Sequence, residues 1–212
     1  MFARELHIKA LVSVVNRTNE YPCYGSIRII LLFCSVVAER NGSMYLNKTE
    51  DIVNKANEIV QKVGSRNPEE IASQLGIIIV PCHFSQQKGV YKVIKKSRFI
   101  FVKEDLCPEL RDIVLLHEIG HDVLHRKEAE TFQEFNIFDV RSNRMEIEAN
   151  RFAAEVSLPD EDVLEYIYQG LNMETIAKRM NSNVNLVALK VENLNWRGYS
   201  FRKPDRQANF LG

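Results

Sequence analysis

The sequence predicts an α+β fold that is mostly helical, with a small three-stranded sheet before its middle and a helical bundle at its C-terminal end. Apolar residues recur at helical spacing through most of the chain after Met44. Between residues 77 and 104, three short runs rich in β-branched and aromatic residues are separated by turn-forming residues, which is typical of strands. The 212 residues are enough for one sizeable domain with a small appendage.

The segment 1–43 differs from the rest of the chain. It has neither helical periodicity nor an obvious partner element, whereas a regular amphipathic helix follows Met44, with Thr49 as its expected N-cap. We therefore expect Met44 to be the true start and residues 1–43 to be an upstream extension read in frame. The apolar run 26–38 is shorter than the ~20 residues of a membrane-spanning helix, and no small-residue cleavage site follows it. These features predict a protein that is neither exported nor inserted in a membrane.

A short helix and the first strand are expected after this amphipathic helix. Asn67 is positioned to cap the short helix, Pro68 takes its first position, and Gly76 ends it. The β-branched run "IIIV" follows and is expected to stop at Pro81, because proline cannot donate to a strand ladder.

Two more strands complete the predicted sheet. They are "GVYKVIKK", residues 89–96, and "RFIFVKE", residues 98–104, with a polar turn around Lys96 and Ser97. The third strand comes just before the next helix in the sequence. We therefore expect the sheet to lie beside that helix.

The second half of the chain reads as helical. Cys107 and Pro108 open a helix that is expected to run to about His125, and a loop with a short helical piece is predicted over 126–141. The following helix ends before Pro159, and three short helices come after it. The predicted domains are the extension 1–43, a core 44–160, a C-terminal helical subdomain 161–197 and a flexible tail 198–212.

Charge and cysteine usage narrow the class of protein. Lys and Arg together number 28, as do Asp and Glu, so the formal net charge is zero. This balance argues against broad electrostatic binding to nucleic acid or to anionic membranes. The four cysteines, Cys23, Cys34, Cys82 and Cys107, are widely spaced, which predicts free thiols in a reducing cytoplasm.

The stretch "LLHEIGHDVLH", residues 115–125, carries the strongest chemical signal. On a helix, His117 and His121 project ~40° apart and can share one metal ion. Glu118 is ~100° away from His117, so that it flanks the pair and can accept a proton from an attacking water. Zinc is the expected metal, because imidazole and carboxylate ligands with an open position are typical of its catalytic sites.

The competing interpretation is an amphipathic core helix with incidental histidines. Both histidines share a face with apolar residues such as Val114 and Leu124, which predicts that they are buried. Two adjacent buried imidazoles without a shared partner would be costly, so burial favours the metal site. His125 would turn ~80° from His117 on a straight helix, which predicts a supporting residue, a substrate contact or a surface residue rather than a ligand.

A catalytic zinc site needs a third protein ligand, and two acids on the next predicted helix are candidates. Glu146 borders the apolar stripe of that helix and is preferred, while Glu148 lies on the other side and comes second. A capping box formed by Asn143 and Glu146 is the structural alternative. Asn150, one turn after Glu146, is positioned to orient a ligating histidine.

At this point the chain resembles the ImmA/IrrE family of zinc metallopeptidases, which are gluzincin-like HExxH proteins of bacteria, phages and mobile elements. The resemblance rests on "LLHEIGHDVLH", "EIEANRFAAEVSLPDE" and "NPEEIASQLGIIIV", and it spans residues 50–195. It implies a zincin-like core and a protein substrate. Several members cleave a helix-turn-helix repressor and so derepress its genes.

Carried over by motif, the family's histidine ligands fall on His117 and His121, its general base on Glu118 and its glutamate ligand on Glu146. The sequence departs from the commoner "FAAELLMP" with "FAAEVSLP", where Ser157 affects local packing rather than the chemistry. The resemblance implies a zinc-dependent endopeptidase with one catalytic Zn²⁺ ion.

Three further expectations concern substrate and partners. The strand "RFIFV" is a candidate to hold an extended substrate by edge pairing, and Tyr91 and His125 are candidates to stabilise an oxyanion. The alternative function is a DNA-binding or protein-binding regulator, such as a toxin–antitoxin component with a structural zinc, because residues 173–194 resemble a helix-turn-helix. Within its presumed second helix only Lys190 is basic, which predicts against direct DNA binding.

Overall fold

A computed structural model describes residues 42–85, 87–131 and 140–202, with side chains described for 48–85, 87–127 and 144–202. Most of the predicted N-terminal extension and flexible tail lies outside these residues, as does the middle of the loop predicted for 126–141.

The structure confirms the predicted α+β class, with a small sheet among helices. In chain order the elements are α1 (Gly42–Val63), α2 (Pro68–Leu75), β1 (Ile77–Cys82), β2 (Gly89–Ile94), β3 (Ser97–Lys103), α3 (Pro108–Thr131), α4 (Val140–Ser157), α5 (Asp160–Tyr168), α6 (Met173–Arg179) and α7 (Val184–Trp196).

The predicted start of α1 is wrong, whereas the predicted start of α2 is confirmed. The expected N-cap at Thr49 is wrong, because α1 already begins at Gly42 and Thr49 is a buried residue within it. No proline or glycine between residues 43 and 49 interrupts the helix. In α2 the Asn67 side chain accepts hydrogen bonds from the next turn, and Gly76 adopts a left-handed φ of 69°, as predicted.

The sheet has the order β1-β3-β2, in which β3 pairs parallel with β1 and antiparallel with β2. The turn between β2 and β3 lies at Lys95 and Lys96, one residue earlier than expected, and both have positive φ. Pro81 lies within β1 instead of ending it, since an edge strand tolerates proline.

The expectation that "RFIFV" receives a substrate strand is wrong, because β3 is the central strand and both its edges are paired. The edges of the sheet belong to β1 and β2. Of these two, β2 packs against α3, the helix that carries the HExxH motif.

The main core lies between the sheet and the helices α3 and α4. Gly120 makes the close contact between the two helices possible: a Cβ atom there would lie 3.1 Å from the Ala149 Cα and 3.2 Å from its carbonyl oxygen. Helix α3 extends beyond the predicted end to Thr131, but it breaks at His125, whose φ and ψ are −130° and 21°. The buried members of this core include Ile71, Ile100, Leu115, Ile119, Phe152 and Val156.

A second core joins the C-terminal helices α5, α6 and α7 to the end of α4. Lys190, the basic residue of the presumed recognition helix, is fully buried and its Nζ lies 2.8 Å from Glu155 and 2.5 Å from Asp160. Its charge is therefore not available to a phosphate, which removes the basic contact that the DNA-binding alternative offered. Among the helices of the described residues, none has the length and apolar character needed to cross a bilayer.

Candidate metal centre

Helices α3 and α4 bring three possible ligands together. His117 and His121 lie one turn apart on α3, and their Nε2 atoms are 3.1 Å from each other. One carboxylate oxygen of Glu146 on α4 is 3.1 Å from His117 Nε2, and the other is 3.3 Å from His121 Nε2. Within the described part of the chain, these three residues form the group of His, Cys, Asp and Glu side chains that could hold a metal ion.

The donor chemistry of this group fits a divalent metal. Two imidazole nitrogens and one carboxylate converge from three side chains, which is the protein ligand set of several catalytic zinc sites. The capping-box alternative does not apply, because α4 begins at Val140 and Asn143 is not its N-cap. Glu148 does not belong to the group, and it faces a different set of partners.

Asn150 orients one of the two imidazoles. Its Oδ1 lies 2.9 Å from His117 Nδ1, where it can accept the Nδ1 proton. With a metal bound, this contact would hold the Nδ1 proton and leave the His117 Nε2 lone pair for the ion, whereas in this structure Nε2 donates to Glu146. Burial by itself would raise the pKa of Glu146, but hydrogen bonds from His117 and His121 hold that pKa well below its usual range.

Glu118 lies beside the three residues without joining them. It is 7% exposed, and burial raises its pKa above the ordinary value, although His117 and His121 lower it in part. The backbone N–H of Tyr91 on β2 donates a hydrogen bond to its carboxylate. A buried carboxylate with a raised pKa can accept a proton from a neighbouring group.

Gly89 permits the close approach of β2 to Glu118. A Cβ atom at this position would lie 2.9 Å from Glu118 Oε1 and 2.6 Å from Val114 Cγ1, closer than real contacts allow. Sequence reasoning did not include Gly89 in the site. Its position at the start of a strand was the available signal, because glycine in a strand often marks a close approach.

His125 and Tyr91 make other contacts than those expected. The Nε2 atom of His125 lies 2.8 Å from Glu148 Oε2, and both residues are buried. Glu148 also pairs with Lys48 of α1 at 2.7 Å and with Arg144 at 2.8 Å, two partners that sequence reasoning did not identify. His125 thus bridges α3 and α4 beside the metal centre.

The Tyr91 hydroxyl donates a 2.6 Å hydrogen bond to Asp122, a fully buried acid that Arg98 and Arg126 also bind. The hydroxyl is therefore bound to Asp122, whereas the sequence suggested that it stabilises an oxyanion. The backbone of Tyr91, by contrast, reaches the site through Glu118.

The fold and this group of residues define an α+β domain whose HExxH helix carries a candidate metal site. More specifically, residues 72–192 match the model of the peptidase M78 family, the IrrE N-terminal-like domain, and the chain belongs to that family.

Two curated relatives and one solved structure are similar to the chain. An uncharacterized immunity region protein 2 of Bacillus phage phi105 is 32% identical over 134 residues, covering 62% of this chain and 84% of the relative. The metallopeptidase ImmA of Bacillus subtilis (strain 168) is 30% identical over 138 residues, covering 63% and 79%. A transcriptional regulator of Mycobacterium tuberculosis shares the fold with a TM-score of 0.50 at 15% identity, over 67% of this chain and 47% of that protein, so this chain spans about half its length.

Proposed function

We propose that this protein is a zinc-dependent endopeptidase. The observation that carries the proposal is the convergence of His117, His121 and Glu146, with the buried carboxylate of Glu118 next to them. Membership of a peptidase family and similarity to a protein named metallopeptidase ImmA support it.

The three ligand residues would hold the zinc ion and leave one coordination position open. When bound, zinc lowers the pKa of a coordinated water towards ~7 and polarises the carbonyl of the scissile bond. Glu118 takes a proton from the attacking water and passes it to the leaving amine. Its raised pKa suits this role, since it makes the carboxylate a stronger proton acceptor.

The substrate is expected to bind in an extended conformation along β2. A 2.8 Å hydrogen bond from the Lys103 N–H to the Lys88 carbonyl shows which backbone groups pair the two strands. Starting from Lys88, every second residue along β2 directs its backbone groups at β3. Gly89, Tyr91 and Val93 therefore direct their backbone groups away from β3, towards the free edge beside Glu118. Because the Tyr91 N–H already binds Glu118, an added strand could pair there through the remaining main-chain groups of this edge.

We further propose that the substrate is a helix-turn-helix repressor in the cytoplasm, whose cleavage derepresses its genes. The similarity to a phage immunity region protein and to ImmA supports a role in a phage-type or mobile-element system. The particular repressor would be identified by its cleavage.

The test compares zinc-loaded wild type with the Glu118→Gln variant, each incubated with helix-turn-helix repressors from the same genome. Wild type should cut one of them, while the variant should not, although it binds the same amount of zinc and melts at a similar temperature. Removing zinc with a chelator should abolish the cleavage, and adding zinc back should restore it. Equal cleavage by the Glu118→Gln variant would exclude the proposed mechanism.

A further inference from the structure

A dense group of lysines follows the free edge of the sheet. Residues 88–96, "KGVYKVIKK", contain Lys88, Lys92, Lys95 and Lys96 and no acidic residue. The chain as a whole has equal numbers of basic and acidic residues, so this concentration is local. We call these four residues the β2 lysine strip.

The charges of the β2 lysine strip are not neutralised within the described part of the protein. None of the four lysines forms an ion pair with a described acid, whereas nearby Arg98 binds Asp122 and Lys103 binds Asp105. Lys95 and Lys96 are exposed at the turn, and the other two are half-buried. The strip thus presents positive charge to solvent.

The strip lies along the part of the sheet that borders the metal centre. Gly89 and Tyr91, between the first two lysines, are the residues of β2 that contact Glu118. The Tyr91 side chain points to α3, where it reaches Asp122, so Lys92 projects from the opposite face of the sheet. At the usual rise of a strand, the six residues of β2 between Lys88 and Lys95 span roughly 20 Å, about the length of an extended six-residue segment.

We infer that the β2 lysine strip selects an acidic, extended segment of the protein substrate. This inference rests on the proposed peptidase function and adds a substrate class to it. A substrate strand paired with β2 would bring its side chains within about 5 Å of those directly across from it, so an Asp or Glu would meet Lys92. Carboxylates at the end of the segment would meet Lys95 and Lys96.

A protective role is the alternative for lysines at such a position. Exposed lysines on edge strands prevent the edge-to-edge pairing that leads to aggregation. The two roles differ in outcome, because protection affects the solubility of the protein and selection affects which peptide binds.

The experiment measures peptide binding to the zinc-loaded Glu118→Gln variant by fluorescence anisotropy, so that no turnover is needed. The probe is a ten-residue labelled peptide in which glutamate alternates with valine and threonine, and its counterpart has glutamine at each glutamate. The test variant adds Lys92→Gln, Lys95→Gln and Lys96→Gln. The matched control adds Lys55→Gln, Lys62→Gln and Lys178→Gln, three exposed lysines on α1 and α6 with no ion pair to a described residue.

The glutamate peptide should bind roughly tenfold more tightly than the glutamine peptide, because each of the three exposed ion pairs contributes about twofold. This preference should disappear in the Lys92, Lys95 and Lys96 triple variant and remain in the control. It should also fall to about twofold or less at 1 M salt, where the screening length is about 3 Å.

Equal binding of the two peptides, binding of neither, or an equal loss of preference in the control would overturn the inference. The inference would also be overturned if the triple variant aggregates but its monomeric fraction, isolated by size exclusion, keeps the preference for the glutamate peptide. The peptidase proposal is tested separately by cleavage. A protein that prefers the acidic peptide but cuts no repressor would contradict the peptidase function and leave the binding result standing.

Discussion

Single residues hold the side chains of the candidate metal centre in place. His117 and His121 face each other with their Nε2 atoms 3.1 Å apart. The Asn150 Oδ1 lies 2.9 Å from His117 Nδ1, and His125 connects α3 to Glu148 next to the same site. The polar partners of the imidazoles, and not the histidines alone, therefore set the geometry of the centre.

Asn150→Ala should lower zinc affinity by about 10- to 100-fold, the usual cost of removing a partner of a ligating histidine. The reason is that His117 Nδ1 would lose its acceptor and the ring would no longer be held in one orientation. Competition with a chromophoric chelator measures the affinity. Asn54→Ala, at an exposed position of α1, is the control. Unchanged affinity in the Asn150→Ala variant would contradict the orienting role of Asn150.

At the scale of elements, the site depends on how closely α3 approaches α4. The third ligand candidate lies on α4, and the tight contact of Gly120 with Ala149 brings that helix to the histidines. Helix α3 also carries Glu118 towards β2, where Gly89 leaves room for it. Two glycines, Gly120 on the motif helix where it meets α4 and Gly89 on β2 where it meets the motif helix, thus allow three elements to meet.

Gly120→Ala should destabilise the protein by ~1–3 kcal/mol, because a Cβ atom would press against the backbone of Ala149 and force the helices apart. Zinc affinity should fall as well, since Glu146 moves away with α4. Urea unfolding of the metal-free protein measures the first effect, and chelator competition measures the second. Gln61→Ala on the exposed face of α1 should change neither. Full zinc affinity in the Gly120→Ala variant would show that helix spacing does not control the site.

At the scale of the whole molecule, buried charges connect the metal-binding core to the C-terminal helices. Glu155 of α4 and Lys190 of α7 are almost fully buried and 2.8 Å apart. Asp160 and Arg197 extend the network to the surface. Burial by itself would raise the pKa of Asp160, but hydrogen bonds from Arg197 and Lys190 outweigh it and lower that pKa.

Lys190→Met should destabilise the protein by about 3–5 kcal/mol, because the Glu155 carboxylate would stay buried without its main partner. The double variant Glu155→Met with Lys190→Met should recover most of this loss, since an apolar pair of similar volume replaces the two charges. Midpoints of urea unfolding compare the single and double variants. A double variant less stable than Lys190→Met alone would contradict this account of the network.

The sequence by itself determined the local part of the fold and of the site. The pairing of His117 with His121 follows from helical periodicity, and the caps at Asn67 and Gly76 follow from residue chemistry over a few positions. The three strands were also visible as β-branched runs. These features depend on neighbours along the chain, so the order of residues is sufficient to predict them.

Contacts between distant segments were decided only by the tertiary structure. Which acid lies beside the histidines depends on the packing of α4 against α3, and it is Glu146, while Glu148 binds His125 and Lys48. The parallel pairing of β1 with β3 makes β2 the free edge at the site. Lys190 became a buried partner of Glu155. In each case the outcome depends on which surfaces pack together to bury the most apolar area, and no local pattern of residues contains that information.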